Sequence, residues 1–189
     1  LEIFSFRAHI LQMSIFHSLL TDRAVLCIMG DDRIDFMQNL VTQDIARPPS
    51  GTCVMAALLT PQGKLLYDFL IYVEDDALLI DCEAAQAEAL EKKLSLYKLR
   101  ADVTIEPSAL QIHALWQEDG LPCPPMNGFY QDPRREGLGL RGFFSASPDI
   151  ALPERSADDW HANRIRCGVP QGALEMPPGS IFPLEYGFA

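Results

Sequence analysis

The stretch TPQGKLLYDFLIYVEDDALLID, Thr60 to Asp81, reads as strand, turn, strand. Side chains on a strand alternate between its faces. Leu66, Asp68, Leu70 and Tyr72 therefore share one face, and Leu65, Tyr67, Phe69 and Ile71 share the other. A run apolar on both faces predicts a central strand. Asp68 breaks that pattern, because a carboxylate leaves water only where partners satisfy it or its pKa shifts. Two roles stay open on this reasoning. Asp68 is bonded to backbone N–H groups or an arginine, or it lines a polar pocket with Tyr72 beside it.

Outward from this run, Ile15–Leu20 and Val25–Met29 read as short strands around a Thr21-Asp22 turn. Gly30-Asp31 opens a predicted helix with Asp31 as its N-cap, and Ile34, Met37, Leu40 and Val41 fall at helical spacing. That helix must end before Pro48-Pro49. Cys53–Leu59, Lys64–Val73, Ala77–Cys82 and Asp102–Glu106 read as further strands, with a tight turn at Pro61-Gln62-Gly63. The clearest helix runs from Ala84 to Tyr97. Its apolar stripe is Ala87, Leu90, Leu94 and Tyr97, and Glu88 and Lys92 form an i,i+4 pair on the wet side. Leu110–Trp116 opens a second unit, strand-like pieces follow around Leu138–Phe144, and Ala157–Cys167 is helical with Ser156 as its cap. The predicted fold is α+β: mostly antiparallel sheets with helices packed on one face. The expected organisation is a lead at 1–13, a first α+β subdomain at 14–106 and a second, incomplete subdomain at 107–189. The apolar ending IFPLEYGFA reads as a fold cut partway.

Lys plus Arg is 15 and Asp plus Glu is 26, giving a net charge of −11. Nucleic acid is repelled overall, so no nucleic-acid partner is expected. No stretch approaches the roughly 18 apolar residues of a membrane span, and no membrane partner is expected either. Cys27, Cys53, Cys82, Cys123 and Cys167 are odd in number, lack CxxC spacing, and lie partly in apolar runs. That is the pattern of reduced intracellular thiols, and a cytoplasmic location is expected.

The common signatures of chemistry are missing: no GxGxxG, no Walker sequence, no HExxH and no GxSxG. His9, His17, His113 and His161 show no ligand spacing, so no metal site is expected; His113 reads as a packed residue rather than a base. Arg164 and Arg166 lie two apart on one helix and must point to different sides. Asp132-Pro133-Arg134 reads as a structural turn.

Several segments together resemble the YgfZ/GcvT-like folate-binding family. They are GDDRIDFMQNLVTQDI (30–45), LLTPQGKLLYDFLIY (58–72), LSLYKLRADVTI (94–105), DPRREGLGLR (132–141), RIRCGVPQG (164–172) and FPLEYGFA (182–189). The family includes the aminomethyltransferase of glycine cleavage and a branch needed for iron–sulfur cluster assembly or repair. The resemblance implies tetrahydrofolate or a related folate as ligand. It matches Asp68 and Tyr72 to the transferase's folate-contacting acid and tyrosine, and Arg164 to the second arginine of its R-x-x-x-R pattern. Trp160 stands where the first arginine would be, Tyr67 where a second Asp would be, and Arg166 where a Glu would be. The transferase's Gly-Tyr-Thr-Gly-Glu segment has no counterpart. These departures favour the iron–sulfur branch: a folate-binding accessory protein with no catalytic residue assigned, acting with iron–sulfur assembly or client proteins. The alternative is a folate-dependent aminomethyltransferase. The branch signature K-G-C-Y-x-G-Q-E would lie beyond Ala189, as would the C-terminal β-barrel, so none of the five cysteines inherits its role.

Overall fold

The computed structural model describes residues 15–118 and 120–186. In chain order the strands and helices are β1 (Ile15–Leu19), β2 (Arg23–Met29), α1 (Arg33–Gln38), β3 (Thr52–Leu59), β4 (Leu65–Val73), β5 (Ala77–Glu83), α2 (Ala87–Lys98), β6 (Thr104–Ser108), β7 (Gln111–Gln117), β8 (Phe129–Gln131), β9 (Leu140–Phe144), α3 (Ala157–Arg166) and α4 (Gly172–Glu175). All strand pairings within the two sheets are antiparallel, so the α+β expectation holds.

The chain divides into two compact units. One takes the described part of Leu1–Thr21 together with Leu110–Val169; the other takes Asp22–Ala109 and Pro170–Ala189. This differs from a split into 14–106 and 107–189 in two respects. β1 joins the later segment, and the chain after Val169 returns to the earlier one. The expected lead at 1–13 lies outside the described residues.

The larger unit is built on a five-stranded sheet of order β3-β4-β5-β2-β6. β4 lies inside it, between β3 and β5, as its two-sided apolar run predicts. One face carries the core: Phe69, Ile71 and Val73 from β4, Leu78 and Ile80 from β5, and Leu26 and Ile28 from β2. Leu90 and Leu94 of α2, with Phe36 and Met37 of α1, pack on that face. Helices cover one face of the sheet, and the strand period of two directs the other set of residues to the opposite face.

α1 is shorter than its periodicity suggests and begins one residue later. Asp32, not Asp31, is the N-cap, and its side chain makes no cap hydrogen bond. Its Oδ2 instead accepts from the Asp102 backbone N–H at 2.7 Å. The approach is close: a Cβ on Gly30, whose φ is 110°, would stand 2.1 Å from the Asp102 carbonyl oxygen. Past α1, Gln38 Oε1 accepts from the N–H groups of Ile45 and Ala46, so a side chain rather than a longer helix satisfies that backbone.

The smaller unit carries a four-stranded sheet of order β1-β7-β9-β8. β1 and β2 do not pair around Thr21-Asp22; β1 pairs with β7, residue 15 against residue 117. Ile15, Leu115, Cys123 and Leu140 form an apolar cluster in this unit. α3 has the predicted cap. Ser156 accepts from the Asp159 N–H, and the Asp159 carboxylate accepts from the Ser156 N–H, a reciprocal capping box.

Candidate functional site

The face of the larger sheet opposite its core sets charged side chains among apolar ones. Strand register brings its residues together. Asp68 lies across from Ala57, and Tyr72 lies between Cys53 of β3 and Leu79 of β5. Leu70 pairs with Asp81, which pairs in turn with Val25; Glu83 pairs with Arg23. Asp68, Leu70 and Tyr72 thus share a face with Asp81, Glu83 and Arg23, as the alternation along β4 requires. All of the acids are buried: Asp68 is 7% exposed, Glu83 4% and Asp81 0%.

Burial of this many carboxylates needs counter-charge. Arg23 supplies part of it: its Nε donates to Asp81 Oδ1 at 2.6 Å, and its Nη2 to the Asp81 carbonyl at 2.8 Å. The thiol of Cys82 registers the surrounding field. Burial pushes it up to about 12, Arg23 opposes that, and Asp81, Glu83 and Asp68 add to it. Such a thiol is inert at neutral pH.

The returning chain closes over Asp68. Gln171 Nε2 donates to Asp22 Oδ2 at 2.9 Å, and the Gln171 N–H donates to Glu175 Oε2 at 3.2 Å. These bonds fix the backbone where α4 begins. A Cβ on Gly172 would stand 1.6 Å from Asp68 Oδ1. The carboxylate therefore rests against the Gly172 backbone, and only glycine leaves it room. Further along, the Leu65 N–H donates to the Ile181 carbonyl at 2.9 Å and the Gly179 N–H to the Leu65 carbonyl at 2.6 Å.

As an acceptor Asp68 suits a ligand that offers N–H donors, and it keeps slight exposure. Tyr72 is fully buried. Arg164 belongs to the other unit, on α3. It is 4% exposed while Arg166 is exposed, as two residues two apart on a helix must differ. Its Nε donates to His161 Nδ1 at 3.0 Å and its Nη1 to the Val169 carbonyl at 3.1 Å, which ties down the chain leaving the helix.

In that smaller unit Asp132-Pro133-Arg134 forms the structural turn read from the sequence. Arg134 and Arg141 both donate to the Asp132 carboxylate, at 2.6 and 3.0 Å. Burial opposes ionisation of Asp132, but the Arg134 charge and hydrogen bonds, with Arg141, outweigh it and hold the carboxyl at about 2. The Arg141 guanidinium lies 4.7 Å from the Trp160 ring centre. His113 is packed, as expected, and its Nδ1 lies 2.7 Å from His17 Nε2. Among the described residues no group of three or more His, Cys, Asp or Glu could hold a metal ion.

Sequence reasoning missed Arg23, Asp81, Glu83 and Gly172. Asp81 and Glu83 had a signal, since they alternate with Ile80 and Cys82 and that period of two sends both acids to one face; Arg23 had none of its own. Gly172 had none, because its neighbour Asp68 is remote in sequence.

The chain is 29% identical over 197 residues to the iron-sulfur cluster assembly factor IBA57, mitochondrial, of Mus musculus, covering 88% of this chain and 54% of that protein. The Homo sapiens protein of the same name is 29% identical over 196 residues, covering 90% and 55%. The aminomethyltransferase T of the glycine cleavage system from Bartonella henselae shares the fold, with a TM-score of 0.55 at 13% identity over 86% of this chain and 47% of that one. The chain is similar to the GcvT/YgfZ-like proteins. It spans about half the length of the curated relatives it matches. No family model matches it. The expectation of a cytoplasmic protein is overturned, since these relatives, including the Neurospora crassa homolog, are named as mitochondrial. Reduced thiols are common to both compartments, so cysteine usage could not separate them.

Proposed function

We propose that this chain is the folate-binding part of a mitochondrial iron–sulfur cluster assembly factor, acting with iron–sulfur assembly or client proteins rather than by turnover of its own. The observation that carries the reading is the similarity to IBA57 proteins over most of the chain, joined to a sheet whose polar face holds Asp68 beside the Gly172 backbone. Tetrahydrofolate is the proposed ligand. Its pterin offers N–H donors, and the Asp68 carboxyl oxygens accept them in a setting of low dielectric where such bonds are strong. Tyr72 backs the same sheet face, and Arg164 is the third residue of the proposed set.

Calorimetric titration of the protein with tetrahydrofolate tests the reading. Binding is expected, with Asp68→Asn weakening it at least about tenfold, since a hydrogen bond to a charged group contributes about 1.5–3 kcal/mol. Unchanged affinity in that variant would remove Asp68 from the site. Depletion of the protein in cells should lower the activity of iron–sulfur enzymes. Formation of methylenetetrahydrofolate from an aminomethyl donor, above background, would instead favour the transferase.

A further inference from the structure

Three of the exposed large apolar side chains fall within four residues at the end of α2. Leu96 is 73% exposed, Tyr97 38% and Leu99 90%. Leu96 lies off the stripe that buries Leu90 and Leu94, and Tyr97, although it continues that stripe, emerges at the helix end. Leu99 caps the helix with φ 47° and ψ −101°, and among the described residues it is the only non-glycine residue with positive φ. A branched side chain rarely occupies that region of backbone space, and residues that do concentrate at functional positions. Here the conformation presents the leucine to solvent.

The end of the helix is locally rich in bases, with Glu88, Glu91 and Asp102 at its margins. Residues 92–100 hold Lys92, Lys93, Lys98 and Arg100 and no acid, in a protein with 15 bases and 26 acids. Lys92 pairs with Glu88. Lys93 Nζ sits 5.5 Å from the centre of the Tyr97 ring.

We propose that this end of α2 seats the protein on an anionic lipid surface. The composition selects that occupant over a protein. Lysine is depleted at protein–protein interfaces, whereas leucine flanked by lysine and arginine is the pattern of helices that lie on anionic bilayers. Each basic side chain near such a surface adds attraction to its phosphates. The net charge of −11 opposes approach, but screening over about 8 Å at physiological salt leaves the contact to local charge. No helix among the described residues is long and apolar enough to cross a membrane, so the contact is peripheral. A surface contact needs no apolar span. The proposal is independent of folate binding.

Sedimentation of the full chain with vesicles tests it, using phosphatidylcholine alone and mixed with phosphatidylglycerol, at low and high salt. Binding is expected with the anionic vesicles only, falling as salt rises. Joint replacement Lys93→Glu and Lys98→Glu should weaken it about tenfold or more. Leu99→Gly suits the same backbone, so the thermal midpoint should hold or rise while vesicle binding falls several-fold. Absence of binding, equal binding to neutral vesicles, or binding unaltered in both variants would overturn the proposal. So would a self-associated species in light scattering that both variants dissolve while neither affects vesicles.

Discussion

Gly172 and Asp68 are 104 residues apart in the chain and in contact in the fold. The Asp68 carboxylate occupies the space a methyl group on Gly172 would need. Gly172→Ala must therefore move either a short buried side chain or the backbone that Gln171 and Glu175 hold. Overpacking of this kind costs about 1–3 kcal/mol, expected as a lower urea midpoint. The same variant should weaken tetrahydrofolate affinity in titration, because the acceptor is displaced rather than removed. A wild-type midpoint would show that the loop yields freely. The burial of Asp68 was legible from sequence, because its neighbours along the strand are apolar. Its contact with the Gly172 backbone was not, because no local pattern announces a neighbour from a distant loop.

At the scale of elements, β1 and β7 carry the His17–His113 pair. His113 pairs across from Leu19 and His17 from Leu115, a diagonal arrangement on one sheet face. Their rings are stacked with centres 4.8 Å apart, and His113 also meets the edge of Phe144. Burial lowers the His17 pKa against the pull of Glu154. Burial and the His17 charge lower His113 to about 4. Both folded values lie below the unfolded one of about 6.5, so the unfolded chain binds more protons as the medium acidifies. The pair's contribution is complete above that pH and is lost as pH falls towards about 4. Unfolding by urea across this range should show stability rising with pH, and His113→Phe should flatten the slope. At lower pH Asp132 dominates, with stability lost as pH falls from about 4 towards 2. Helix α3 was legible in the sequence because its cap is local, Ser156 with Asp159. The partition of strands between sheets was not, since β1 finds its partner 96 residues away.

For the molecule as a whole, the discontinuous units matter most. Residues 170–186 leave the smaller unit's chain segment and bond to β4 at Leu65 in the larger one. A chain ending at Val169 should therefore lose amide protection at Leu65, read by hydrogen exchange, while β2 and β5 keep theirs through their own register. Equal protection with and without the segment would show that β4 stands alone. The α+β class was legible because periodicity is local, whereas the crossings of the chain depend on contacts between distant segments. Synthesis meets the same crossings as a matter of timing. Trp116 Nε1 donates to Ser18 Oγ across 98 positions. A ribosome adding 5–20 residues per second leaves β1 waiting on the order of ten seconds for β7 to emerge. Through that interval β1 has no partner strand, and its backbone N–H and C=O groups bond to water instead.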